Sequence, residues 1–258
     1  DADKALYNEF ISARRNAEAS SLFVHTSADS GGRYPLSGVG DVNLYALFAE
    51  LFLYLREPKN GRSGLIVPSG IATDDSTKDF FGAISRKGLL VSLYDFENRN
   101  AIFSDVHRSY KFCLLTMGAA LRADFAFFLT NVEQLGDERR HFSLSPEDFE
   151  LLNPNTYTCP VFRSQKDAEI ARSIYQRVPV LIDDRKSKRA DNADRGNPWG
   201  ISFLRMIDMA NDSGLFHTSA APELMPLYEA KLIHQFDHRW ATYSTTNVAP
   251  CEEPRCRD

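Results

Sequence analysis

Between residues 43 and 117 the apolar period changes repeatedly, and the order of those changes restricts the fold more than any single motif. The stretch "NLYALFAELFLYLREP" puts Leu44, Leu47, Phe48, Leu51, Phe52 and Leu55 on one broad helical face. Asp41 or Asn43 is placed to cap that helix and Pro58 to help end it. A short apolar strand follows at 64–67, then a helix over about 75–86 with Asp74 or Asp75 as its cap. Strands "LLVSLYDF" (89–96) and "YKFCLLTM" (110–117) complete the series. Helix, strand, helix, strand, strand is half of a doubly wound α/β sheet, its last pair antiparallel.

The flanks read differently. Residues 4–18 have helical spacing (Ala5, Leu6, Phe10, Ile11), followed by the loop "TSADSGGRYPLSGVGD". Beyond residue 118 the pattern becomes mixed α+β. "ADFAFFLTN" is strand-like, "SPEDFELLN" starts as a capped helix, and "SQKDAEIARSIYQRV" is an amphipathic helix. The polar run 183–198 reads as a loop, and "PLYEAKLIHQFDHRWATY" as a helix opened by Pro226. The expected divisions are 1–118, 119–243 and a loose tail from Ser244 to 258.

With a net charge of −5 over 258 residues, overall charge does not advertise nucleic-acid binding, although a local basic patch suffices for it. No apolar run approaches the ~20 residues that span a membrane. Cys113, Cys159, Cys251 and Cys256 form no CxxC pair, which fits reduced cysteines in a cytoplasmic protein. The opening DADKALYNEF has neither an initiator Met nor a signal-peptide pattern, and it reads as a cut inside a longer protein.

Single motifs carry little chemistry. In "GLIVPSGIATDD", Ser69 follows Pro68, whereas a nucleophile elbow needs glycine on both sides of the serine. No GxGxxG or GxxxxGK[ST] turn occurs. Asp95 and Glu97 share one face of a strand, a spacing that suits a divalent metal and, with Lys111, a nuclease; a hydrated strand end is the favoured reading. His234 and His238 are i, i+4 without the HExxH glutamate, and no metal site is expected. Arg185, Lys186, Lys188 and Arg189 suit phosphates, but Asp183, Asp184, Asp191 and Asp194 make a solvated loop an equal reading. "NPNT" (153–156) lacks the second proline and the aromatic of an amino-methyltransferase turn.

Taken together, "GRYPLSGVGDVNLYALFAELFLYLREPKNGRSGLIVPSGIATDDSTKDFFGAI", "SLYDFENRNAIFSDVHRSYKFCLLTMG" and "PLYEAKLIHQFDHRWATY" resemble Eco57I-type DNA adenine-N6 methyltransferases, the fused restriction–modification enzymes called type IIG or IIL. The resemblance runs from about residue 6 to 243. It implies the C-terminal half of a Rossmann-like methyltransferase sheet, then a mixed α+β segment leading to target recognition. The family's Gly-rich turn and Asn-Pro-Pro-Tyr motif are not in these residues, so a missing N-terminal half is the implied partner.

The resemblance also assigns roles. Phe48, with Asn43 and Tyr45 nearby, matches the aromatic that lies against the adenine of S-adenosylmethionine, though periodicity alone reads Phe48 equally well as core. Phe103 matches the aromatic that stacks on a flipped adenine, and the aromatic face returns part of the lost stacking energy. His107, Arg108 and Lys111 then meet the phosphates of double-stranded DNA. Mg²⁺ enters only if a nuclease domain is fused elsewhere. Alone, this half is expected to bind DNA weakly and not to methylate it, and to bare an apolar surface on helix 43–56 and strand 64–67. Two alternatives remain: a non-catalytic DNA-specificity or subunit-contact module, and the metal-dependent nuclease.

Overall fold

The computed structural model describes residues 2–187, 196–205, 207–208, 210–217, 221–222, 224–225, 227, 232–234, 241–243 and 248–250. It divides into two compact units, Asp1–Ile201 and Ser202–Asp258.

In the first unit, α1 (Ala2–His25) continues past residue 18, because "SSLFVH" contains no Gly or Pro to stop it. The loop that follows leads to α2 (Leu44–Leu55). Asn43 holds the cap position without a side-chain cap bond, which corrects its expected role. That loop is fastened instead by Glu50, fully buried on α2. Its carboxylate accepts from Leu36 N (3.1 Å), Ser37 N (2.8 Å), Ser37 Oγ (2.6 Å) and Tyr54 OH (2.9 Å). Those four donors offset the cost of burying an acid. Burial and the bond to Glu50 push the Tyr54 phenol up to about 12.

β1 (Ser63–Pro68) and the short α3 (Gly70–Thr73) lead through a 3₁₀ turn at Asp75–Thr77 into α4 (Lys78–Arg86). Asp74 precedes the turn without capping it, and Asp75 pairs with Lys78 at 2.8 Å, so neither acid is the expected cap. Then come β2 (Leu90–Glu97), β3 (Lys111–Met117), β4 (Ala123–Leu129) and β5 (His141–Leu144). Four residues are too few for β5 to show a period in the sequence. The unit continues with α5 (Pro146–Leu152), α6 (Gln165–Arg177) and α7 (Asp184–Ser187). α7 replaces the start of the expected 183–198 loop; residues 188–195, with Lys188 and Arg189, lie outside the described residues.

The fold is α/β. Its five strands lie in the order β1-β3-β2-β4-β5. β3 is antiparallel to both β1 and β2, β4 is parallel to β2, and β5 is antiparallel to β4. β1, β2 and β4 therefore point one way, an arrangement compatible with part of a Rossmann-like methyltransferase sheet. β3 and β4 flank the expected boundary at residue 118 and lie in one sheet.

One face of the sheet carries the main core. Val67, Leu93, Cys113, Leu115 and Met117 pack there with Ala49, Phe80, Phe81 and Ile84 of the helices. The other face is covered by loops: Phe96, Ala126 and Leu129 sit under Ile102 and Leu135, beside Phe112 and Leu114.

The outer edge of β1 pairs with nothing among the described residues. Ser69 N donates to Lys111 O, so by alternation Gly64, Ile66 and Pro68 turn their main-chain groups toward the open edge. Ile66 is 60% exposed. On α2 the apolar face splits: Ala46, Leu47, Ala49 and Leu53 are buried, while Leu44, Phe48, Phe52 and Leu55 are exposed at helical spacing.

In the second unit, β6 (Ala241–Tyr243) pairs antiparallel with β7 (Val248–Pro250). The helix expected over 226–243 does not form where the chain is described, since Leu232–His234 are not α-helical and 241–243 is strand. The expected loose tail is likewise strand at 248–250. Thr242, Tyr243 and Val248 favour a pleated partner, and the pairing outweighs local helical spacing. His238 lies outside the described residues.

Candidate functional site

Residues 98–110 join the end of β2 to the start of β3. They lie where the parallel strands β1, β2 and β4 end, and open α/β sheets present ligands beyond those carboxyl ends. A 3₁₀ turn, Asn98–Asn100, closes on Ala101 in the left-handed region (φ 54°), an unusual conformation for a residue with a Cβ.

Phe103 stands edge-on to Phe112, with centroids 5.0 Å apart and planes at 71°. Phe112 in turn stacks on Phe96 at 5.3 Å and 6°. Phe96 is buried, whereas Phe103 is 40% exposed. The series runs from the core to the surface and ends on a partly exposed ring, supported by the edge-on packing that aromatic quadrupoles favour. Such a ring can accept a stacked base.

His107, Arg108, Tyr110 and Lys111 are all exposed on the same loop or at its junction with β3. His107 Nδ1 meets Ser109 Oγ at 2.8 Å, and its ring lies edge-on to Tyr110 at 6.4 Å. Cationic and aromatic groups thus lie together on this loop and at the start of β3.

The sequence did not single out Asn98. It is fully buried, and its carboxamide fastens the loop from inside. The only signal was its place in "ENRNAIF", at a turn after a strand.

The other assigned residues lie elsewhere. Phe48 is 52% exposed on α2, next to Phe52 (centroids 6.4 Å), so the core reading of its spacing is corrected. Asn43 is exposed, and Tyr45 is half-buried against the main core. Burial, then the nearby Asp74, raises the Tyr45 phenol. Arg185 and Lys186 sit in α7. Arg185 meets Glu150 at 2.7 Å, Asp183 at 3.1 Å and Tyr157 OH at 3.0 Å, and Lys186 meets Asp183 at 3.3 Å. Tyr157 packs on the main core, whereas Phe103 belongs with Phe112 on the other face, so the structure does not bring these cations to the aromatic loop.

The carboxylate pair is not arranged for a metal. Asp95 is buried and accepts from the Ser69 hydroxyl and from the main-chain N–H of Phe128. Burial raises its pKa; Ser69 and the Lys111 charge act in the opposite direction. Glu97 pairs with Arg99 at 3.1 Å. Among the described residues no group of three or more His, Cys, Asp or Glu gathers to hold an ion. Ser69 is committed to Asp95, in keeping with a structural turn. Asn155 of the "NPNT" stretch donates to Ile182 O at 2.9 Å and accepts from Asp184 N at 3.0 Å, anchoring the segment before α7. No described helix is long and apolar enough to cross a membrane.

No protein-family model matches the chain, and no curated protein matches it. Among solved structures, it is similar to a chain from a type I restriction–modification system, at 11% identity and a TM-score of 0.38, over 56% of this chain and 39% of that one. It is also similar to the type IIG restriction endonuclease BpuSI, at 14% identity and a TM-score of 0.32, over 55% of this chain and 16% of that one. The chain thus spans well under half the length of either protein. At such low scores neither likeness carries an activity to this chain.

Proposed function

We propose that this chain is the back half of a site-specific DNA adenine-N6 methyltransferase of a bacterial restriction–modification system, acting in the cytoplasm. The observation that carries the reading is Phe103, half-exposed at the carboxyl end of the sheet and braced by Phe112 and Phe96. In this reading its ring stacks on an adenine turned out of double-stranded DNA, while His107, Arg108 and Lys111 meet the neighbouring phosphates. Arg185 and Lys186 contribute less, because Asp183 and Glu150 already neutralise them.

The open edge of β1 and the exposed stripe of α2 fit a sheet that continues in a missing N-terminal half. That half would hold the acceptors that draw on the amine protons and most of the grip on S-adenosylmethionine. The cofactor, when bound, supplies the methyl group. On this chain the exposed Phe48 ring fits one face of its adenine, with Tyr45 and Asn43 alongside. Mg²⁺ belongs to the reading only if a nuclease domain is fused.

The chain's binding to a duplex carrying an unpaired adenine, compared with a fully paired one, tests this. We expect a preference that Phe103→Ala reduces about 10-fold, as the loss of one stacked base does. Equal binding to both duplexes, or a preference that survives Phe103→Ala, would overturn it. Methyl transfer by the 258-residue chain alone would refute the need for a second half. The exposed apolar side chains of α1 (Leu6, Tyr7, Phe10, Leu22, Phe23) favour a second reading, a subunit-contact module. That reading predicts salt-sensitive duplex binding indifferent to Phe103.

A further inference from the structure

We infer that Asn98 is the positioning residue that holds Phe103 ready for a base. The inference rests on the reading of Phe103 as a stacking platform.

The carboxamide of Asn98 grips Phe103 by both main-chain groups. Its Oδ1 accepts from Phe103 N at 2.9 Å, and its Nδ2 donates to Phe103 O at 2.9 Å. The second Nδ2 proton goes to Val106 O at 2.7 Å. The main chain of Asn98 adds two ties: its N–H donates to Tyr110 O at 2.9 Å, and its carbonyl accepts from Ala101 N at 2.8 Å. Asn98 thus fixes the base of the loop, the kink at Ala101 and both sides of Phe103.

Other residue types do not replace it. Both donors of the amide and its acceptor are used in a site with no exposure. An ionised Asp would face two carbonyl oxygens with no donor. Ser has one donor, and Gln is a methylene too long for a close-packed site. Beyond this clamp, Phe103 keeps the turn bond from Val106 N–H to its carbonyl (3.2 Å) and the edge contact of its ring with Phe112, and neither holds its N–H. Removing the clamp leaves the stacking ring in place chemically but makes the loop order itself on each binding event, which weakens binding.

The test uses the full chain and two readouts. Hydrogen exchange at Phe103 N–H reports the clamp without DNA. In Asn98→Ala it should accelerate about 100-fold while the amides of β2 and β3 stay protected, as local opening dictates. Binding reports the consequence: Asn98→Ala should lower the preference for an unpaired-adenine duplex about 10-fold, and should lower it no further in a Phe103→Ala background, because coupled residues are not additive. Unchanged exchange at Phe103 overturns the inference. So does accelerated exchange with the wild-type preference intact.

If Phe103→Ala itself has no effect on binding, the proposed function falls, while the exchange result still decides the clamp. Should Asn98→Ala not fold, Asn98→Asp serves. Protonated, it regains one donor and orders the loop; ionised, it can still accept from Phe103 N–H but repels Phe103 O and Val106 O, which drives the loop open. Exchange at Phe103 should then rise with pH more steeply than in the wild type, and an identical pH dependence overturns the clamp.

Discussion

The hydroxyl of Ser69 donates to the carboxylate of Asp95, joining the end of β1 to β2 across the intervening β3. The register allows this because Val67 and Asp95 both lie opposite Cys113. Asp95 also accepts from Phe128 N–H. There β4 carries one extra residue, since Tyr94 pairs with Ala126 but Phe96 with Leu129, and Phe128 has φ 61°. One buried acid therefore links the ends of three strands that share a direction.

That acid has a raised pKa, mainly from burial. A raised folded-state value means its contribution favours folding at low pH and is lost as pH rises through that value. Asp95→Asn removes this loss and keeps a partner for Ser69, whose hydroxyl can accept as well as donate. Its melting temperature should match or exceed the wild type at pH 8, with a smaller difference at pH 4. Asp95→Ala leaves Ser69 and Phe128 N–H without their acceptor and should cost about 1–3 kcal/mol. Thermal melts of both variants check this, and Asn proving worse than Ala would refute it.

His141 gives the second pH dependence. Burial lowers its pKa, but the bonds to Asp124 (2.7 Å) and Leu135 O (3.0 Å) outweigh burial and raise it above the ordinary 6.5. Its contribution is complete below 6.5 and fades as pH climbs through the raised value. Relative to His141→Gln, the wild type should melt higher at pH 5.5 than at pH 8.5, by about 2–4 °C for each kcal/mol. A difference constant across that range would contradict the assignment.

The exposed stripe of α2 and the β1 edge should govern association. Leu55→Gln with Ile66→Thr should change stability by no more than about 0.5 kcal/mol per site, since both side chains are exposed. Sedimentation should show less concentration-dependent self-association in the double variant. Leu53→Ala, at a buried position of the same helix, should instead cost about 2–5 kcal/mol. Equal stability losses in the two cases would mean that the stripe is packed.

Arg185 and Arg108 should behave differently. Arg185→Ala breaks contacts to Glu150, Asp183 and Tyr157 and should lower the melting temperature with little effect on the salt dependence of DNA binding. Arg108→Ala should leave stability unchanged and reduce the log–log salt slope by about 1. Salt titrations at fixed pH separate the two, and the reverse pattern would move the phosphate contacts to α7.

The sequence by itself determined the order α2, β1, α4, β2, β3 and β4, without the short α3, and the capped start of α5. It also determined that Phe103, His107 and Arg108 lie on one loop and that Lys111 follows at the start of the next strand. Each is a local fact, set by period, cap chemistry or turn residues within a dozen positions. Tertiary structure decided the rest. The sheet order, with β3 between β1 and β2, decided that Ser69 meets Asp95 and so occupies that carboxylate. Packing decided which apolar face of α2 is buried, so Phe48 lies outside the core that its spacing allowed. Cross-strand pairing made a strand of 241–243, where spacing pointed to a helix, and of 248–250, where the composition pointed to a loose tail. Asn98 shows the division most plainly: its neighbours in sequence mark a turn, but burial and the three bonds of its carboxamide arise only once the loop folds back over the sheet, because a hydrogen bond needs a partner brought within reach.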